Sequence, residues 1–139
     1  MEELTYKAQI AVIKVLTEIL NADNIVREKE LKYLNDVMLS FGLNNENESD
    51  VNSITSIQAI SIIKELPIDQ KCEIAQMMGK MIIVDEDINY NEVKLYNTFC
   101  ESCGIESNFN IEDYPEYSIS GPFFNPEDLM NNYNLNNTP

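Results

Sequence analysis

Apolar residues recur at helical spacing through most of this chain. Between Tyr6 and Leu20, the positions Ile10, Val12, Ile13, Val15, Leu16, Ile19 and Leu20 fall on one broad helical face. Leu31, Leu34, Val37, Met38 and Phe41 predict a second amphipathic helix that stops at Gly42, a natural residue just past a helix end. The segment from Asn44 to Asp50 is polar and reads as a loop. A third helix is expected over Ser53 to Glu65, carrying Ile54, Ile57, Ile60, Ile62 and Ile63, and Pro67 ends it. Asp69 offers an N-cap for a fourth helix running to about Val84, with Ile74, Met77, Met78, Met81 and Ile82 on its apolar face. A fifth helix is expected from Tyr90 to Cys103, stopped by Gly104. No stretch alternates with period two and no hairpin turn signal is present, so strands are not expected. The predicted class is all-α.

The pattern repeats. Shifted by 62 residues, Asp23 falls on Asp85, Val26 on Ile88, Glu30 on Glu92, Lys32 on Lys94 and Gly42 on Gly104. Apolar positions follow, with Val12 on Ile74, Leu16 on Met78, Leu20 on Ile82 and Leu31 on Val93. Two helical hairpins over about 9–43 and 71–105 are therefore expected, related by pseudo-symmetry within a domain spanning 1–106.

Charge narrows the functional classes. The chain has 139 residues, nine Lys and Arg, 24 Asp and Glu, no histidine, and a formal net charge of −15. Nucleic acid is excluded as a partner on these grounds, because affinity for it comes mainly from basic side chains on phosphates. Anionic membrane surfaces are disfavoured for the same reason. No apolar run reaches the roughly 18–20 residues needed to cross a bilayer, and the acidic start Met1-Glu2-Glu3 lacks a leader pattern. Cytoplasm is the expected location. Peripheral membrane association would need a protein partner, whose identity the sequence does not give.

The three cysteines do not form a secreted disulfide framework. Cys100-Glu101-Ser102-Cys103 is formally a CxxC, but it lies at a helix end rather than at the N-terminus, where the dipole would activate a thiol. Its repeat counterparts are Met38 and Phe41, so core packing is the expectation.

Candidate chemistry gathers between the fourth and fifth predicted helices, in Ile82–Glu92, IIVDEDINYNE. Taken as a calcium loop starting at Asp85, it offers oxygen ligands at Asp85, Asp87 and Asn89, then puts Tyr90 where glycine belongs and Tyr96 where the bidentate acid belongs. Half the motif has a structural explanation: with Asn89 as N-cap, Glu92 takes the capping-box position, and Ile88 with Val93 makes a hydrophobic staple. Glu30 occupies the same place in the first copy, with Val26 and Leu31 as staple and Arg27 as a poor cap. Asp85 and Asp87 are harder to explain, since they follow a helix C-terminus, where the dipole disfavours negative charge by about 0.3–1 kcal/mol per group. A solvated hinge, a weak divalent cation site and a protein-docking surface all stay open as readings. Asp23 occupies the first corner, and Asn24 beside it tolerates the left-handed conformation.

These corners resemble the TerB-like family, named from tellurite-resistance operons. Its members carry an alanine-aspartate-glycine-type turn, an apolar residue two positions later and a glutamate four positions beyond. Ala22-Asp23-Asn24-Ile25-Val26 with Glu30, then Phe41-Gly42-Leu43, follows that pattern. So does Val84-Asp85-Glu86-Asp87-Ile88 with Glu92, then Cys103-Gly104-Ile105. Asn24 and Glu86 stand where the family has turn glycines. The resemblance covers about 5–106. It implies an all-α fold of two pseudo-symmetric helical bundles and a cytoplasmic stress-response role, sometimes at the inner face of the membrane. It further implies metal ligation by Asp23, Glu30, Asp85 and Glu92, and use as an accessory module beside other domains, co-chaperones among them.

Beyond Ile105 the chain turns rich in Asn, Pro, acids and aromatics. Residues 107–139 are expected to dock on the domain through those aromatics, the alternative being order gained on a partner. Asn125-Pro126-Glu127-Asp128 would start a short last helix to about Tyr133.

Without histidine or a phosphate-cradling glycine loop, a non-enzymatic role is expected. The leading expectation is a TerB-like module that binds a divalent cation, calcium or zinc, weakly through Asp23, Glu30, Asp85, Asp87 and Glu92, with no cofactor strictly required. The alternative is an acidic protein-interaction or scaffold domain without metal function.

Overall fold

The computed structural model describes residues 3–121. Helix α1 (Tyr6–Leu20) is apolar nearly all round, and Thr5 caps it by accepting the Ala8 N–H. A helix with that pattern must be covered on every side. Accordingly it is surrounded by α2 (Glu28–Ser40), α3 (Glu48–Ser53), α4 (Ser56–Lys64), α5 (Ile68–Ile83) and α6 (Tyr90–Cys103), touching each. Ala8, Ala11, Val12, Val15, Leu16 and Ile19 are completely buried. The fold is an all-α bundle, as the periodicity predicts.

The helix ends follow local chemistry. Gly42 and Gly104 both adopt positive φ, 75° and 72°, and the following residues close the turns: Leu43 N–H donates to Met38 O and Ile105 N–H to Cys100 O. The predicted third helix is α4, starting three residues later than expected, and a further helix, α3, arises largely from the segment read as a loop. The polar loop winds into a 3₁₀ turn at Asn45–Asn47 and then into α3, while α4 starts only at Ser56, where Thr55 and Gln58 form a capping box. Apolar spacing could not show this break; the Thr55 capping box is the signal that marks it. Likewise, α5 begins at Ile68 with Pro67 at the cap, and Asp69 accepts the Gln70 N–H from inside the first turn.

A two-stranded parallel sheet was not expected. Strand β1 (Asp87–Asn89) pairs with β2 (Ser118–Ser120), aligning Asp87 with Ser118, Ile88 with Ile119 and Asn89 with Ser120. Three residues are too few for alternation to register. The stretch before β2 docks through aromatics: Phe109 meets Tyr96 at 5.9 Å and stacks on Tyr114, which stacks on Tyr117 at 5.3 Å. The expected last helix and the Phe123-Phe124 pair lie outside the described residues.

Cys100 and Cys103 are buried in the core, with Cys72 exposed. Burial pushes both buried thiols up, Cys103 to about 11, the behaviour of packing residues rather than of a reactive pair. Among the described residues no helix is long and apolar enough to cross a membrane.

Candidate cation corner

The two inter-helix corners share one backbone. After α1, the Ile25 N–H donates to Asp23 Oδ1 at 3.1 Å, and Asn24 adopts φ 63°. After α5, the Asp87 N–H donates to Asp85 Oδ1 at 3.2 Å, and Glu86 adopts φ 60°. Each aspartate thus folds its own turn, and each left-handed residue reverses the chain before the next helix.

Where the helices begin, the copies diverge. In the second, Asn89 Oδ1 caps α6 by accepting the N–H groups of Asn91 and Glu92 at 2.9 and 3.2 Å. In the first, Arg27 holds the cap position and makes no side-chain cap bond. Its guanidinium instead turns inward among the acids of both corners. It sits 2.6 Å from Asp23 Oδ2, 3.2 Å from Glu92 Oε2, 3.5 Å from Asp85 Oδ2 and 3.9 Å from Glu30 Oε1. Asn89 closes the ring, donating to Asp23 Oδ2 at 2.9 Å.

Glu30 and Glu92 are both fully buried. Glu30 Oε1 and Oε2 and Glu92 Oε1 have no hydrogen-bond donor. Two ionised carboxylates in that setting would be costly, because one partly exposed guanidinium cannot offset both together with Asp23 and Asp85. Burial therefore drives both toward the protonated form, Glu30 to about 7 and Glu92, with the Glu30 carboxyl beside it, to about 10. Near neutral pH the coupled pair as a whole retains a proton. For Asp23 burial acts the same way, yet the hydrogen bonds from Arg27 and the Ile25 N–H outweigh it and hold that carboxyl below its usual range. Asp23 correspondingly raises Arg27.

Four of the five residues read from sequence thus converge: Asp23, Glu30, Asp85 and Glu92. Asp87 does not. Its carboxylate faces β2 and accepts the hydroxyls of Ser118 and Ser120, both at 2.6 Å, which offsets its charge without a cation. Glu92 departs from the capping role expected of it, because its side chain points into the acid cluster instead of back to the Asn89 N–H. The staple holds only in the second copy, where Ile88 and Val93 are buried while Val26 and Leu31 are exposed. Arg27 is the residue that periodicity missed. The available signal was that it is the chain's only arginine, standing where a capping side chain belongs.

Among the described residues, no three acid or cysteine side chains stand close enough together to hold a metal ion as they are. The Arg27 guanidinium occupies the centre on which they converge. A donor set made only of carboxylate and amide oxygens would suit a hard ion such as calcium better than zinc.

Compared with known proteins, the chain matches no family model and no curated protein. It is similar in fold to a crystal structure of a protein of unknown function from Porphyromonas gingivalis W83, at 21% identity and a TM-score of 0.65. The match covers 78% of this chain and 92% of that one. It supports the bundle architecture and carries no activity.

Proposed function

We propose that this chain is a non-enzymatic helical module that binds one divalent cation weakly at its acid corner, in the manner that its resemblance to the TerB-like family implies. The observation that carries the reading is the pair Glu30 and Glu92, buried together with three carboxylate oxygens lacking a donor. A buried carboxylate asks for a proton, a basic side chain or a metal. Glu30 and Glu92 would hold the ion, with Asp23 and Asp85 at its rim. The ion would supply the charge that lets both glutamates ionise, and because each comes from a different hairpin it would tie the two together. Arg27 competes for the same oxygens, which keeps the affinity low. Stress association and cytoplasmic location belong to the same reading.

A calcium titration followed by amide NMR, repeated with zinc, tests it. Saturable shifts confined to the two corners, and lost in Asp23→Ala and Asp85→Ala, support the site. Diffuse, salt-sensitive shifts over the acidic surface would sink it.

A further inference from the structure

The repeat carries a second matched feature, a hollow at the same place on each hairpin. In the first hairpin a hollow of about 200 Å³ lies between α1, α2 and α3, and Ile13, Thr17, Leu34, Val51 and Asn52 line it. Shifted by 62 residues, those positions are Ala75, Gly79, Tyr96, Asp113 and Tyr114. All of these line a larger hollow of about 280 Å³ between α5, α6 and the segment that follows α6. The exchanges change its character. Ile13 gives way to Ala75 and Thr17 to Gly79, which opens the floor. Leu34 and Asn52 give way to two tyrosines that flank Phe109, also in the lining: Tyr96 meets its ring at 5.9 Å and Tyr114 stacks on it at 5.6 Å. Val51 gives way to a charge, Asp113. Gly79 has no reason in the chain's own packing. It stands within α5 and is not among the positive-φ glycines, and glycine is the poorest helix former after proline. A Cβ there would touch only the Phe109 ring, at 3.8 Å, an ordinary contact. The helix thus gives up stability to leave space over Gly79. Two opposite charges border that space, Lys80 from α5 and Asp113 from the turn Ile111–Asp113, and among the described residues neither makes an ion pair.

We propose that the hollow over Gly79 binds a small zwitterionic aromatic molecule, its flat ring against Phe109 and Tyr114, its ammonium toward Asp113 and its carboxylate toward Lys80. Small-molecule sites are lined mainly by apolar and aromatic side chains, with a few charged groups that fix orientation. Aromatic rings add offset-stacked or edge-to-face contacts beyond simple burial. The ligand chemistry is that of a free aromatic amino acid. The first hollow has neither ring nor basic group in its lining, so it serves as an internal control. The site shares no residue with the acid corner, and the proposal stands whether or not that corner holds a cation.

The test titrates L-tryptophan into the full chain, labelled for amide NMR. Saturable shifts are expected at Gly79, Lys80 and Asn108–Tyr114, with none at Thr17 or Val51. Tryptamine, which lacks the carboxylate, and indolepropionate, which lacks the ammonium, should each bind about tenfold more weakly, as expected for one lost charge-assisted contact. Gly79→Leu should abolish the shifts by filling the hollow. Gly79→Ala should raise the melting temperature and still weaken binding, which separates a filled site from a failed fold. No saturable shifts, or equal binding of the three compounds, would overturn the proposal. So would shifts of the same amides on dilution without ligand, because a second copy would then fill the hollow.

Discussion

Glu30 and Glu92 bury their carboxyls beside each other although they stand on different helices at matching positions in the repeat. One Arg27 nitrogen reaches toward both, at 3.9 Å and 3.2 Å. The pH dependence of stability follows from that placement, and the proposed cation binding rests on it.

The pair makes stability depend on pH in a defined direction. A free glutamate titrates near about 4.3, whereas in the fold Glu30 titrates at about 7 and Glu92 at about 10. Between the free and folded values the folded chain binds more protons than the unfolded one, so this contribution to stability falls as pH rises, by at most about 1.4 kcal/mol per pH unit for each proton. Glu92→Gln mimics the protonated acid and removes its share of that slope. Urea unfolding from pH 5 to pH 8 should show the variant gaining on the wild type as pH rises. A constant difference would mean that Glu92 is ionised in the fold.

Arg27 is the corner's built-in cation. Arg27→Gln should cost about 3 kcal/mol or more in chelator, since it leaves buried acids without their counter-charge. Millimolar calcium should return part of that loss, because binding to the folded state alone stabilises it by mass action. Thermal melts with and without calcium check this. A larger calcium effect on the wild type than on the variant would contradict it.

The left-handed turn residues carry strain that glycine would relieve. Glu86 at φ 60° is the less suited of the two, while Asn24 at φ 63° tolerates the region. Glu86→Gly is expected to stabilise the fold by up to about 1 kcal/mol, less the extra entropy that glycine brings to the unfolded chain. Asn24→Gly should change stability by a few tenths at most, on the order seen for well-matched turn residues. Denaturant midpoints rank them.

Asp87 holds β2 in place rather than lining the corner. Asp87→Ala should speed hydrogen exchange at Ser118–Ser120 and leave global stability within about 1 kcal/mol, because two partly exposed hydroxyl bonds are lost. Cation response should persist. Loss of that response in this variant would return Asp87 to the ligand set.

The helices were legible in sequence because burial imposes a 3.6-residue period on α1, α2, α5 and α6. The repeat marked Asp23, Glu30, Asp85 and Glu92 as matching positions, but their meeting around Arg27 depends on how the helices pack, which neither copy's pattern records. Arg27 was not legible, because periodicity records which residues are apolar and says nothing about which way a long polar side chain turns. The role of Asp87 was hidden for a different reason. Its partners Ser118 and Ser120 lie 31 and 33 residues away, beyond the reach of any local pattern.

Crystals grown with manganese, an oxygen-seeking ion with a usable anomalous signal, test the central claim most directly. The account predicts one anomalous peak between the Glu30 and Glu92 carboxylates, with the Arg27 guanidinium displaced from them. A map without a peak there, with Arg27 still among the four acids, would contradict it.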